Sequence, residues 1–271
     1  MSNSDGGIGA RKAGKSAGSP RDPADLVGSL LDEWRANGER WEVAARQARK
    51  LGLEVFNPAL YAFDAYATFL RRYPPERGAI LALGLNPGPY GMSQTGIPFT
   101  DCRTLTRELG IPLEIPGRAP KDLERRLRKP TGKWKGTYER SSIAIYRFLK
   151  LAWGDLGAAY RNWYVGNPCP LLFLDPAAWN VTPADPRLRR LASVADLSRE
   201  ALRRFHAKLR PRAVVCLGQD VANLLGADAA ALVGEERVVR YPHPARAVPD
   251  AWARGLAAEL KSRGLLGAAA L

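Results

Sequence analysis

Short apolar runs alternate with amphipathic segments along most of the chain. Four runs have the length and the bounding turn residues of buried strands: 79–85, 163–166, 213–218 and 237–241. Apolar residues recur at helical spacing in the segments 23–52, 101–109, 141–153, 197–209, 219–225 and 249–263. A shorter aromatic segment at 57–75 is expected to pack against the sheet. Strands that alternate with helices predict an α/β fold of three α/β/α layers around a central, mainly parallel four-stranded sheet.

Two stretches depart from this pattern. Residues 1–22 contain Gly, Ser, Lys and Arg with almost nothing apolar, so we expect a disordered basic tail. Residues 111–136 are rich in Pro and Arg and are long for a structureless connection, which favours either a functional role or disorder. No internal repeat is evident. We therefore expect residues 23–271 to form a single domain that carries a basic insert at about 111–136.

Polar side chains follow three of the predicted strands. Asn86 and Asn167 each come after an apolar run and precede a proline, and His243 follows the last run. Ligands of an open α/β sheet bind beyond the carboxyl ends of its strands, so these side chains could converge on one pocket. Each asparagine could instead be a turn residue that tolerates unusual backbone angles.

The charge of the chain points to a polyanionic partner. The sequence has 41 Lys and Arg against 27 Asp and Glu, a formal net charge of +14, and such an excess favours nucleic acid. A genome that favours Arg and Ala codons is the alternative explanation. However, residues 117–150 alone hold eleven basic and three acidic residues, with Trp134 and Tyr138 among them. That mixture suits phosphate contact combined with stacking on bases or sugars, although a solvated basic loop would look the same.

Several functional classes are disfavoured. The chain has no apolar run of about 18 residues and no signal-peptide pattern, so no membrane association is expected. Its 3 cysteines are widely spaced and it has only 2 histidines, which disfavours zinc or iron–sulfur sites and fits reduced thiols. Two amides and an imidazole, without a nearby carboxylate, Lys or Ser, also do not make an acyl-transfer triad. They suit the binding of a flat ring, the placing of a water and the stabilisation of an anionic leaving group, which cleavage of an N-glycosidic bond requires.

Two motifs carry a family resemblance. Residues 84–99 read GLNPGPYGMSQTGIPF, and residues 166–174 read GNPCPLLFL, followed by Asn180 and Thr182-Pro183. Both resemble motifs of the single-strand-selective monofunctional uracil-DNA glycosylases, a branch of the uracil-DNA glycosylase superfamily. The resemblance implies that Asn86 positions the attacking water, Phe99 stacks on the base and Asn167 reads its pyrimidine edge. It also implies that the backbone from Gly88 to Met92, with Tyr90 and Gly91 between them, lines the pocket. It implies no metal and no organic cofactor.

The last motif departs from the family pattern. The family has His-Pro-Ser-Pro, whose histidine supports the departing anionic oxygen and whose loop wedges into DNA, whereas this chain reads Tyr-Pro-His-Pro-Ala-Arg at 241–246. One register gives the histidine role to His243, and the other gives it to Tyr241. We favour His243 because the preceding strand length fits and an imidazole suits the role. We expect Pro244 and Arg246 of this loop to contact DNA, together with Lys133, Trp134 and Lys135 of the basic stretch.

These observations predict a monofunctional glycosylase of DNA base-excision repair. We expect it to flip uracil out of DNA and to hydrolyse its N-glycosidic bond by water attack, leaving an abasic site. Other deaminated or oxidised bases are further candidate substrates. We expect a monomer in the bacterial cytoplasm, associated with the nucleoid. The alternative is a non-catalytic or weakly active nucleic-acid binder on the same scaffold, which the altered last motif makes conceivable.

Overall fold

The computed structural model describes residues 23–112 and 139–266. Its α-helices are α1 (Pro23–Arg40), α2 (Glu42–Lys50), α3 (Pro58–Tyr61), α4 (Phe63–Arg72), α5 (Met92–Thr95), α6 (Cys102–Arg107), α7 (Arg140–Trp153), α8 (Leu156–Asn162), α9 (Pro186–Arg189), α10 (Ala192–Leu209), α11 (Gln219–Val233) and α12 (Pro249–Ser262). Its strands are β1 (Glu54–Phe56), β2 (Ile80–Leu83), β3 (Trp163–Gly166), β4 (Leu172–Leu174), β5 (Asn180–Val181), β6 (Val214–Leu217) and β7 (Val238–Tyr241).

The predicted central sheet is confirmed. Strands β3, β2, β6 and β7 pair in that order, and each neighbouring pair is parallel. Every residue of β2, β3 and β6 is buried, as expected of a parallel sheet with both faces covered. Parallel pairing brings the carboxyl ends of the four strands to one edge, where the polar residues singled out above follow them.

Successive residues of β3 show that helices cover both faces of this sheet. The Trp163 ring lies 4.9 Å from the Phe148 ring of α7, and the Tyr164 ring lies 5.9 Å from the Phe205 ring of α10. Because neighbouring side chains of a strand point to opposite faces, α7 and α10 lie on opposite sides of the sheet. Helix α12 packs on α7, and α1 packs on α10, which completes the three layers.

A second sheet was not predicted. Strands β1, β4 and β5 form a small antiparallel sheet in the order β1-β4-β5, in which Phe173 pairs with both Val55 and Val181. These side chains belong to a separate apolar cluster that also includes Trp41 and Leu188. The strands have only two or three residues each, too few for a period-two pattern to be recognised.

Other boundaries also differ from the prediction. The segment 23–52 is two helices with the buried Trp41 between them, α8 precedes β3, and α11 extends eight residues beyond the predicted Leu225. The tail at 1–22 and the insert from residue 113 onward, including Lys133, Trp134 and Lys135, lie outside the described residues. Among the helices that are described, none has the length and hydropathy needed to span a membrane.

Candidate active site

The carboxyl edge of the central sheet opens into a cleft of about 880 Å³. Asn86 follows β2, Asn167 follows β3 and His243 follows β7, and all three line this cleft. The sequence-based expectation that these distant residues converge therefore agrees with the geometry. The other predicted residues that line it are Gly88, Tyr90, Met92, Phe99, Tyr241 and Arg246.

Two predicted residues are placed differently. Gly91 is buried and does not line the cleft, although its neighbours Tyr90 and Met92 do. Pro244 is buried at the start of a 3-10 turn (Pro244–Arg246) that packs on α7, whereas Arg246 is exposed. Of the two residues expected to contact DNA from this loop, only the Arg246 side chain is open to solvent.

Asn86 is held by its amide nitrogen. Its Nδ2 donates to the Leu171 carbonyl at 3.2 Å and to the Pro87 carbonyl at 3.4 Å. Since Nδ2 faces these carbonyls, Oδ1 is the end of the amide that can accept a hydrogen bond from a water in the cleft. The loop after Asn86 is braced as well, because Ser93 Oγ and Gln94 Nε2 both donate to the Pro89 carbonyl, at 2.8 and 2.9 Å.

Asn167 presents a buried polar atom with no partner. The residue is 3% exposed, and its Nδ2 donates to the Met92 sulfur at 3.1 Å. Within the described residues its Oδ1 is buried and has no hydrogen-bond partner. An unsatisfied buried acceptor costs about 1–3 kcal/mol. Of the buried side-chain atoms in this condition among the described residues, Asn167 Oδ1 is the one whose residue lines the cleft. A ligand that brings an N–H group would satisfy it.

Phe99 occupies a strained backbone position beside Asn167. Its φ is 52°, in the left-handed region that residues with a side chain rarely adopt, and such strain costs about 1–3 kcal/mol and concentrates at functional sites. The ring is half-buried and lies 6.0 Å from the His243 ring, centroid to centroid. An aromatic face next to an amide oxygen that has no partner among the described residues suits a flat hydrogen-bonding ring.

His243 is oriented by the backbone of its own loop. Its Nδ1 accepts a hydrogen bond from the Ala245 N–H at 3.2 Å, so in the neutral imidazole the proton is on Nε2. Burial, together with the positive charge of Arg246, lowers the pKa of His243 below its ordinary value. At neutral pH the side chain is therefore an uncharged donor through Nε2. Gly218 permits this position, since a Cβ on it would lie 3.2 Å from that of His243.

The Tyr241 hydroxyl is turned toward a helix. It donates to the Trp252 carbonyl of α12 at 3.3 Å, and a Cβ on Gly255 would lie 2.2 Å from it. Although Tyr241 lines the cleft with part of its side chain, its hydroxyl is engaged with α12. Within the described residues, His243 keeps one ring nitrogen, Nε2, without a hydrogen-bond partner, whereas the only polar side-chain atom of Tyr241 has one.

The expectation that no carboxylate lies nearby was wrong, because Glu139 lines the cleft. Its carboxylate accepts hydrogen bonds from the backbone N–H groups of Tyr90 and Gly91 and from Ser141 Oγ at 3.1 Å. Its own N–H donates to Asp101 Oδ2 at 2.7 Å. Burial, with the negative charge of Asp101 adding to it, raises the pKa of the Glu139 carboxyl to about 7. Nothing in the sequence connects residue 139 with the loop at 86–92, so pattern reasoning could not find it.

The remaining polar lining is mixed in charge. Arg140, Arg240 and Arg246 carry positive charge at the cleft, and Asp220 carries negative charge. Arg240 is paired with Glu235. Within residues 23–112 and 139–266, no group of three His, Cys, Asp or Glu side chains is placed to hold a metal ion.

Comparison with known proteins identifies the family. Residues 70–255 match the model of the uracil DNA glycosylase superfamily. The single-strand selective monofunctional uracil-DNA glycosylase of Rattus norvegicus is 31% identical over 245 residues, covering 88% of this chain and 85% of that protein. The Bos taurus protein of the same name is 32% identical over 251 residues, covering 92% and 89%.

A solved structure shares the fold. The crystal structure of wild-type SMUG2 from Pedobacter heparinus superimposes with a TM-score of 0.61 and 24% identity, covering 79% of this chain and 89% of that one. At this identity the likeness concerns the fold, which it confirms as that of the uracil-DNA glycosylases.

Proposed function

The chain belongs to the single-strand-selective monofunctional branch of the uracil-DNA glycosylase superfamily, and from this we propose that it hydrolyses the N-glycosidic bond of uracil in DNA. The enzyme is a monofunctional glycosylase of base-excision repair that leaves an abasic site. The alternative of a non-catalytic nucleic-acid binder is not favoured, because the relatives are named as glycosylases.

The unpaired Oδ1 of Asn167 is the observation that carries this proposal. Uracil has an N3–H donor between two carbonyl acceptors, and an amide can match a donor and a neighbouring acceptor at once. A base flipped into the cleft would supply Oδ1 with its missing donor and could stack on Phe99. Enzymes that act on a base read its Watson–Crick edge in this way.

Asn86 and His243 supply the chemistry. The Asn86 Oδ1 holds a water for attack on the anomeric carbon as the sugar acquires oxocarbenium character. The His243 Nε2–H donates to the uracil oxygen on which negative charge develops, which lowers the energy of the departing anion. A neutral imidazole suffices for this role, in keeping with the lowered pKa of His243. The bond between sugar and base breaks, water supplies hydroxide to the sugar, and its proton leaves with the base or solvent.

The wider setting is part of the same proposal. We propose that residues 23–271 act as one catalytic domain, that the enzyme works as a monomer on DNA containing uracil, and that it acts in the bacterial cytoplasm at the nucleoid. Arg246 at the cleft, together with Lys133, Trp134 and Lys135, is proposed to contact DNA. The formal charge of +14 supports a polyanionic substrate.

A cleavage assay tests the function. Single-stranded oligonucleotides that carry one uracil or one thymine are incubated with the protein and then treated with alkali, which breaks the strand at abasic sites. We expect breakage at uracil only and a loss of at least about 100-fold for Asn86→Ala. Asn162→Ala is the matched control, because Asn162 is also half-buried and donates Nδ2 to a backbone carbonyl, that of Ala158, but lies at the opposite edge of the sheet. DNA binding without an abasic product would contradict the proposal.

A further inference from the structure

Glu139 is a cleft residue that the proposed reaction does not use directly. It stands at the N-terminus of α7, while the loop that carries Asn86 follows β2. The two meet because the Glu139 carboxylate accepts the N–H groups of Tyr90 and Gly91, four and five residues after Asn86. These N–H groups are therefore engaged with Glu139 rather than directed at a ligand.

The glycines of the loop make room for this carboxylate. A Cβ on Gly88 would lie 2.3 Å from Glu139 Oε1, and a Cβ on Gly91 would lie 2.4 Å from Oε2. Neither glycine has a positive φ. Close approach of the Glu139 carboxylate therefore favours glycine at both positions.

The position of Glu139 is itself fixed from two further sides. Asp101, which caps α6 by accepting the Thr104 N–H at 2.7 Å, also accepts the Glu139 N–H. Ser141 Oγ donates to Glu139 Oε2. Glu139 thus links the loop with Asn86 to the first turn of α7 and, through the Asp101 carboxylate, to the first turn of α6.

We propose that Glu139 is a positioning residue for the hydrolysis, whose ionised carboxylate holds the 88–91 backbone in the arrangement that presents Asn86 to the attacking water. This inference rests on the proposed glycosylase function. Only the ionised form accepts through both oxygens, since protonation turns one of them into a donor that faces backbone N–H groups. Loss of the charge should therefore loosen the loop and lower the rate.

Among the groups around it, Glu139 is the one whose pKa is shifted to near neutral pH. Titratable and charged groups that face it from the packed elements are Asp101, Cys102, Tyr90, Arg140, His243 and Arg246. Burial raises the pKa of Cys102 to about 11, so this thiol stays neutral. The pKa of His243 is shifted downward. An activity change near pH 7 is thus expected to report Glu139, whose carboxyl has a pKa of about 7.

The test compares Glu139→Gln with wild type in single-turnover excision of uracil from pH 5.5 to 8.5. We expect the wild-type rate to rise through about pH 7, and the variant to be about tenfold or more slower above pH 7 and flat through that region. Its affinity for an uncleavable DNA should be unchanged or tighter, because a negative charge has left the cleft. Glu108→Gln is the matched control, since Glu108 is exposed and pairs with Lys150.

A second variant tests the same contact by a substitution in the loop. Gly91→Ala should slow excision in the wild type and should cost less in a Glu139→Ala background, where its methyl no longer meets the carboxylate. If Glu139→Gln keeps the wild-type rate and pH profile, or if Gly91→Ala costs the same in both backgrounds, the positioning role is wrong. Failure of the wild type to form any abasic product would instead overturn the glycosylase proposal and this inference with it.

Discussion

The Phe99 ring lies directly against Gly84, the residue that follows strand β2. A Cβ on Gly84 would be 2.8 Å from Phe99 Cε2, which is closer than the Cβ atoms of real proteins come to atoms of residues that are not their chain neighbours. The same Cβ would lie 2.2 Å from Asn167 Oδ1. The missing side chain at this one position therefore allows both the proposed stacking ring and the proposed base-reading amide to sit at the floor of the cleft.

Substitution Gly84→Ala should for this reason damage base recognition. The methyl group would displace Phe99 and Asn167 together, and we expect uracil excision to fall by at least about 100-fold, with a loss of stability of roughly 1–3 kcal/mol from overpacking. Single-turnover excision and urea unfolding measure the two effects.

Gly28→Ala is the matched control for that substitution. Gly28 lies in α1, and a Cβ there would meet nothing within 4 Å. Alanine in a helix interior is favoured over glycine by about 1 kcal/mol, so this variant should be as stable as wild type or more so, with full activity. Equal activity of the Gly84 and Gly28 variants would show that the floor of the cleft tolerates a side chain.

The polar residues at the strand ends could be predicted from the sequence because each of them follows an apolar run. Burial on both faces demands such runs in a parallel sheet, and Asn86, Asn167 and His243 then share an edge by topology. Glu139 could not be predicted in this way. It is brought to the loop by the packing of α7 on the sheet, and a single carboxylate after a basic stretch carries no periodic signal. The strands β1, β4 and β5 were missed because each is too short to alternate recognisably.

The histidine role can be assigned by two substitutions in the last motif. His243→Ala removes the Nε2–H donor, and we expect excision to slow by at least about tenfold. Tyr241→Phe removes a hydroxyl that donates to the Trp252 carbonyl, so we expect nearly unchanged excision and a small loss of stability. A slow Tyr241→Phe variant beside a normal His243→Ala variant would transfer the role to Tyr241. Single-turnover rates at pH 8 with uracil in single-stranded DNA decide between them.

Arg246 should act through DNA phosphates. It is exposed at the cleft, and a side chain that contacts one phosphate contributes about one unit to the slope of log affinity against log salt. We expect Arg246→Gln to weaken binding and to reduce that slope by about 1. Arg161→Gln is the control, because Arg161 is also exposed but lies near the amino end of β3, at the far edge of the sheet. Fluorescence anisotropy across a salt series measures the slopes of wild type and of both variants. A slope for Arg246→Gln equal to that of wild type would exclude a phosphate contact by Arg246.

The raised pKa of Glu139 also predicts how stability depends on pH. In the folded protein the carboxyl has a pKa of about 7, above the ordinary value of 4.5 for a glutamate. Between these values the folded state holds a proton that the unfolded state has released, so wild-type stability falls as the pH rises through this window. Above about pH 7 both states are ionised and the loss is complete.

The Glu139→Gln side chain does not titrate. The free energy of unfolding of this variant minus that of wild type should therefore increase between pH 5.5 and 7.5 and then stay level. Over this pH range the increase is at most about 2 kcal/mol, because pH 5.5 lies about 1.5 units below the folded-state pKa and each unit corresponds to about 1.4 kcal/mol. Groups that titrate in both proteins, His243 included, cancel in this difference. Urea unfolding at four pH values measures this difference. A pH-independent difference for Glu139→Gln would mean that the carboxyl ionises as freely in the folded protein as in the unfolded chain.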